Sequence, residues 1–190
     1  MAGTHPITLD IEYPERLSRW KIFFKWLFLI PHTIVLMFIG LAFFFTTFVA
    51  WFAVLFTGRY PRGLFDFGIT FLRWQTNVNV YGGLLRDEYP PFTGTDGQYP
   101  VVHMNIEYPE RLNQIMVIFR IFTVIPAIVF LYLVQIASAV VQFIGWWAIL
   151  FTGKMPRGMF GFLVGSQRLS LRVLGYFYFM TDRYPPFNLS

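Results

Sequence analysis

The chain contains no cysteine, and only 13 % of its 190 residues are charged, which is about half the share usual in a soluble globular domain. The lack of cysteine excludes disulfide frameworks and zinc sites with thiolate ligands. The low charge and the high apolar content together exclude an intrinsically disordered chain. A soluble fold of this length has too little interior to hide so much apolar surface.

Catalytic signatures are missing as well. The sequence has no glycine-rich phosphate loop, no HExxH helix and no haem-attachment motif. Its three histidines, His5, His32 and His103, stand far apart without neighbouring ligands. Because an enzyme needs convergent acid, base or nucleophilic groups, we expect a non-enzymatic protein with no cofactor and no metal.

Aromatic residues are abundant instead: 24 phenylalanines contribute to an aromatic share of 21 % and a hydrophobic share of 56 %. The net charge is +5, and the basic residues flank apolar runs. Nucleic-acid binding requires basic residues on a soluble face, whereas this pattern is typical of contact with anionic lipid headgroups. We therefore expect membrane lipids, and no nucleic acid, as partners.

The sequence is a tandem duplication with an offset of 95 residues. IEYPERL begins at Ile11 and again at Ile106, and LFTG, PRG and YPPF recur at the same offset. Roughly 30 of about 86 aligned positions are identical without a gap, which identifies an internal repeat. We divide the chain into a first membrane repeat (1–92), a linker (93–101) and a second membrane repeat (102–190).

Each repeat begins with alternating apolar and polar residues, which predict a short strand. The two strands can pair with each other or with those of a neighbouring subunit. The Tyr-Pro-Glu sequence that follows predicts a helix start with proline at its first position. Residues 16–30 are typical of an interfacial helix with aromatic and basic sides, and Pro31 predicts a bend after it.

Residues 32–57 and 127–152 carry no charge and are long enough to cross a bilayer. A second, amphipathic helix follows in each repeat, at about 64–86 and 159–181. We expect a mainly α-helical integral membrane protein with four membrane helices and both repeats in the same orientation. The positive-inside rule then places both termini in the cytoplasm. If the second helices lie in the interface instead, the two repeats are inverted.

A polar stripe runs along each second helix, because its members recur every three or four residues. The candidate lipid, ion or inter-helix contacts on these stripes are Asp66, Arg73, Asn77, Arg168 and Arg172. One interpretation is structural, with the arginines bound to backbone carbonyls or reaching a headgroup. The other is an anionic-lipid site or the lining of a path through the membrane.

The recurring motifs also supply a set of interfacial residues that begin the helices or form a basic turn. These are Tyr13, Pro14, Glu15, Arg16 and Arg62 in the first repeat, and Tyr108, Pro109, Glu110, Arg111 and Arg157 in the second.

Through YPERL, FTGxxPRG, the mid-helix arginine and the DEYPPF/DRYPPF ending, the chain resembles the 4389 domain-of-unknown-function family of prokaryotic membrane proteins. The resemblance covers nearly the whole chain. It implies a multi-pass protein of a prokaryotic cell membrane, often with tandem copies, and no activity that can be assigned to a residue.

Three functional hypotheses follow from the sequence. The first is a non-enzymatic scaffold or accessory subunit, either homo-oligomeric or part of a larger membrane complex. The second is a transporter, channel or anionic-lipid-handling protein in which the polar stripes line the path. A lipid-modifying enzyme is a weaker third hypothesis because the acid/base inventory is so poor.

Overall fold

Each repeat folds into one short strand and a long antiparallel helical hairpin. The computed structural model describes residues 5–189. In chain order the elements are β1 (Ile7–Ile11), α1 (Lys21–Thr57), α2 (Arg62–Gly82), β2 (Val102–Ile106), α3 (Gln114–Thr123), α4 (Ile125–Thr152) and α5 (Arg157–Phe177). The structure is mainly helical, as the sequence predicts, and has one short sheet.

The two predicted strands pair with each other in an antiparallel ribbon. Leu9 lies opposite Met104, its own counterpart at the offset of 95, so the pairing is symmetric about this point. The alternation of β1 buries Ile7, Leu9 and Ile11 and exposes the residues between them. Because the ribbon is symmetric, the two repeats are related by an approximate twofold axis through its centre.

The first two helices form a hairpin that is packed along the whole of α2. Gly40 faces Phe71, Gly68 faces Phe43, and Gly82 faces Leu29. Residue numbers in α1 therefore fall as those in α2 rise, and the two helices are antiparallel. The same holds for α4 and α5, where Ser138 donates a hydrogen bond to Ser166 at 2.8 Å.

The helices and the ribbon form three layers. Successive helical residues are about 100° apart, so Arg73 lies on the side of α2 opposite Gly68 and Phe71, which contact α1. The Arg73 side of α2 meets β2, and the Arg168 side of α5 meets β1. Helices α2 and α5 therefore lie between the ribbon on one side and α1 and α4 on the other.

The helix starts and the bend differ from the prediction. Neither Pro14 nor Pro109 begins a helix: α1 begins at Lys21 and α3 at Gln114. The Leu17 amide donates to the Gly153 carbonyl of the other repeat at 2.8 Å, and this contact holds the YPERL segment out of a helix. Helix α1 runs through Pro31 without interruption, whereas the second repeat separates α3 from α4 at Val124.

Among the described helices, two rather than four are long and apolar enough to span a membrane, α1 and α4. The two repeats lie antiparallel to each other and not in the same orientation, as contacts between their ends show. The Gly58 carbonyl at the end of α1 accepts from the Leu112 amide just before α3. The end of each long helix thus meets the beginning of the other repeat's helices.

Candidate functional site

The mid-helix arginines clamp three segments of backbone together, in the same way in both repeats. Arg168 donates from Nε to the Leu9 carbonyl at 2.9 Å and from Nη1 to the Leu189 carbonyl at 3.2 Å. Arg73 donates to the Met104 carbonyl at 3.5 Å and to the Gly94 carbonyl at 3.1 Å. Each guanidinium joins its own helix, the strand of the other repeat and the segment after its own YPPF motif. We call these two groups the arginine clamps.

The clamps hold the ribbon by its outer edges. The Glu12 amide donates to the Val101 carbonyl at 3.1 Å, and the Glu107 amide to the Pro6 carbonyl at 3.0 Å. These bonds set the alternation of the antiparallel ladder, so the Leu9 and Met104 carbonyls point away from the partner strand. An unpaired strand edge is a template for pairing with another chain, and the arginines occupy its acceptors.

The other stripe residues lie along the same faces but have different surroundings. Arg172 is buried and donates from Nε to the Ile7 carbonyl at 3.4 Å. Its counterpart Asn77 is buried, and the Asn77 Oδ1 atom has no hydrogen-bond partner. Asp66 is exposed near the start of α2. The stripes thus lie beneath the ribbon, and the structure brings Arg73, Arg168 and Arg172 to it but leaves Asp66 apart.

The YPERL motif of each repeat docks on the basic turn of the other. These turns are residues 58–63 in the first repeat and 153–158 in the second. The Tyr108 hydroxyl donates to the Tyr60 carbonyl at 2.5 Å, and the Arg62 guanidinium lies 3.7 Å from the centre of the Tyr108 ring. Tyr13 repeats this with the Met155 carbonyl at 2.5 Å and with Arg157 at 4.8 Å. Cation–π contacts and buried hydroxyl bonds therefore join the repeats reciprocally.

The rest of the predicted interfacial residues lie around these docking contacts. Pro14 is buried and Pro109 half-buried beside their tyrosines, whereas four charged residues point outward: Glu15, Arg16, Glu110 and Arg111. Tyr60, in the basic turn of the first repeat, is buried under the YPERL motif of the second. This burial raises the pKa of its hydroxyl to about 12.

Sequence reasoning missed an ion pair with a buried cation in each repeat. Lys25 Nζ lies 2.8 Å from the Asp87 carboxylate and 4.8 Å from the centre of the Tyr81 ring. Arg120, the counterpart of Lys25, pairs with Asp182, and its guanidinium lies 4.6 Å from the centre of the Tyr176 ring.

A signal for these pairs exists in the repeat alignment. Both carboxylates recur at the offset of 95, and both partner positions keep a cation although Lys replaces Arg. Of the two cations, Lys25 lies in residues 16–30, which the sequence predicts to be an interfacial helix with its basic side toward headgroups. The carboxylates that neutralise them are about 62 residues further along the chain.

Among residues 5–189, no group of three histidine or acidic side chains is placed to hold a metal ion. His5 accepts a hydrogen bond from the Ile7 amide, and its burial and then the charge of Arg172 lower the pKa of its imidazole to about 4. The arginine clamps bind backbone carbonyls of the strands and of the segments after the YPPF motifs.

A family model described as a domain of unknown function, DUF4389, matches the chain twice, at residues 19–94 and 114–188. The chain belongs to this family. The two matches confirm both the resemblance and the tandem duplication. No curated protein and no solved structure matches the chain.

Replacing Arg168 with methionine should loosen β1 while the helices stay folded. The substitution leaves the Leu9 and Leu189 carbonyls without their charged donor, and such bonds are worth about 1.5–3 kcal/mol. We expect amide hydrogen exchange in β1 to become about tenfold faster. Arg59→Met, at an exposed turn position, is the matched control and should leave β1 exchange unchanged. Equal exchange in both variants would contradict the clamp.

Replacing Asp87 with asparagine should destabilise the fold, because it leaves the buried Lys25 ammonium without its countercharge. Losing one partner of a buried pair costs about 3 kcal/mol, and we expect the free energy of unfolding in detergent to fall by that amount. The second repeat carries Arg120 at the equivalent position, so Lys25→Arg keeps a cation opposite Asp87 and should destabilise the fold less than Asp87→Asn does. Wild-type stability of the asparagine variant would show that the pair is unimportant.

Proposed function

We propose that the protein is a non-enzymatic membrane scaffold that lies along one leaflet of the membrane. In this arrangement α1, α3 and α4 face the hydrocarbon, and the ribbon faces water. The observation that carries the proposal is the separation of charged and apolar surfaces on opposite sides of the α2 and α5 layer.

The apolar surface belongs to the outer helices. In the most apolar segments of α1 and α4, only 11 % and 17 % of the residues are buried. Large aromatic side chains are exposed along both helices, among them Phe38, Phe44 and Phe143. An exposed apolar surface of this extent is typical of a region that contacts membrane or another protein.

The opposite surface is polar. The outward side chains of the ribbon are Thr8, Asp10, Glu12, His103, Asn105 and Glu107, and all are exposed. The ribbon crosses α2 and α5 near the clamps, about midway along these helices. If the helices crossed the bilayer, the carboxylates would lie at mid-membrane depth, where burial of a charge is costly. A helix layer parallel to the membrane keeps them in water.

Two further features favour the parallel arrangement. Helix α1 has 37 residues and is about 55 Å long at 1.5 Å per residue, well beyond the hydrocarbon thickness of ~30 Å. Exposed basic residues lie at both ends of the hairpins, namely Arg16, Arg19, Lys21, Arg59, Arg62, Arg111, Lys154 and Arg157. A helix layer lying in the interface would bring all of them to the headgroups of one leaflet, which fits anionic lipids as partners.

The clamp geometry favours a scaffold over a transport path. A path would require the stripe arginines to face an open channel between the repeats. In the described part of the chain, Arg73 and Arg168 instead bind carbonyls of the strands and of the segments that follow the YPPF motifs. We propose that copies of the chain associate with each other, or with a larger membrane complex, on this rigid support.

Cysteine labelling tests the orientation, since the natural chain has no cysteine to give a background signal. The single substitutions are Arg59→Cys in the basic turn of the first repeat, Lys154→Cys in that of the second, and Asn105→Cys on the ribbon. A membrane-impermeant maleimide should label all three from the same side of sealed vesicles, because one leaflet holds the whole layer. A cysteine at Phe44 should react only after detergent is added.

Labelling of the two turns from opposite sides would contradict the parallel arrangement and indicate transverse helices. Labelling of the Phe44 position without detergent, together with recovery of the protein in the soluble fraction, would contradict membrane embedding itself.

The oligomeric state tests the scaffold part of the proposal. Native mass spectrometry of the detergent-solubilised protein should give a multiple of the 22.3 kDa chain mass, or a complex with another membrane protein. Because the clamps occupy the ribbon edges, association should not depend on these edges. We therefore expect the Arg168→Met variant to form the same oligomer or complex. A strict monomer with no bound protein, at every concentration tested, would contradict the scaffold.

A further inference from the structure

A groove on the membrane-facing side of the protein breaks the symmetry of the two repeats. It has a volume of about 620 Å³ and lies between the first turns of α1, the end of α2 and the second half of α4. Its walls include Trp26, Leu29, Phe143, Trp146 and Trp147, with Ala139 at the same surface. The volume is within the range of about 300–1,000 Å³ that ligand sites occupy.

In the other half of the molecule, the helix surfaces equivalent to the groove walls are in contact. There α3 packs against the second half of α1, and the Gln114 side chain donates to the Leu55 carbonyl at 3.0 Å. Helices α1 and α4 make no comparably extensive contact among the described residues. The two halves also differ in their helices here: α1 runs through Pro31, whereas α3 ends at Thr123 and α4 begins at Ile125.

Residue size contributes to the same asymmetry. Ala139 stands where the first repeat has Phe44, so α4 presents a small side chain at the groove. Leu84 adopts a positive φ of 64° and lines the groove, and its counterpart Phe179 adopts 63°. A left-handed conformation is unfavourable for both residue types. In the second repeat the larger Phe179 ring lies 5.2 Å from the Arg120 guanidinium and covers it.

We propose that this groove binds one acyl chain of a membrane phospholipid. The inference rests on the proposed embedding of the α1 and α4 surface, because that surface brings hydrocarbon chains to the mouth of the groove. The groove separates two helix surfaces whose counterparts are in contact in the other half, and an acyl chain between them supplies apolar contact to both.

The lining favours a lipid over a protein segment. The tryptophans are amphipathic and characteristic of the membrane interface. Gln142 and Lys25 give the groove polar wall atoms, and the Lys25 ammonium is already neutralised by Asp87 at 2.8 Å. A groove with mostly apolar walls and a neutral polar part suits an uncharged chain that continues toward an interfacial headgroup.

The test is lipid retention by a groove-filling variant. Ala139→Phe copies the residue of the first repeat into the groove, and Ala137→Phe is the matched control on the exposed face of the same helix, outside the groove. Delipidated protein would be incubated with palmitoyl-oleoyl phosphatidylcholine or phosphatidylglycerol, and bound lipid counted by native mass spectrometry. We expect wild type and the control to retain one lipid per chain, with an affinity at least tenfold above that of Ala139→Phe.

Because the chain rather than the headgroup is recognised, both lipids should give this result. Equal retention by all three proteins, no retention by wild type, or retention of phosphatidylglycerol alone that is insensitive to Ala139→Phe would overturn the inference. A peptide or protein bound in place of the lipid would do the same. Labelling of the Phe44 cysteine distinguishes these outcomes from a failure of membrane embedding, since that measurement does not depend on the groove.

Discussion

The structure depends on guanidinium groups that satisfy backbone carbonyls at the edge of the ribbon. A two-stranded ribbon is only marginally stable alone, and within residues 5–189 no third strand joins this one. Arg73 and Arg168 replace the missing strands by donating to the outward carbonyls, and the same groups hold the segments that follow the YPPF motifs. One residue type at one helical position thus organises both repeats.

Reciprocity makes the two repeats one unit. Each strand packs on the second helix of the other repeat, and each YPERL motif docks on the other repeat's basic turn. A single repeat would leave a strand edge, a tyrosine and a set of carbonyls without partners. The duplicated motifs are therefore explained mainly as two halves of mutual contacts, with Lys25–Asp87 and Arg120–Asp182 closing each hairpin internally.

Much of the fold could be predicted because its signals are local. Alternation over residues 7–11 predicts β1, and the long apolar runs predict α1 and α4. The helix starts were wrong at Pro14 and Pro109, since the amides after them bond to the other repeat. The mid-helix arginines were found by their repetition, but their carbonyl partners could not be, because backbone acceptors have no sequence signature. Lys25 was missed as a buried pair because its partner is distant in the chain.

The sequence by itself determined the duplication, the family and the apolar character of the outer helices, since these follow from composition and from spacing along the chain. The antiparallel relation of the repeats was decided only by the tertiary structure. Motifs with the same order can be joined in parallel or inverted, and the choice depends on contacts between distant segments, such as Leu17 with Gly153 and Leu112 with Gly58. The same contacts place the stripe beneath the ribbon.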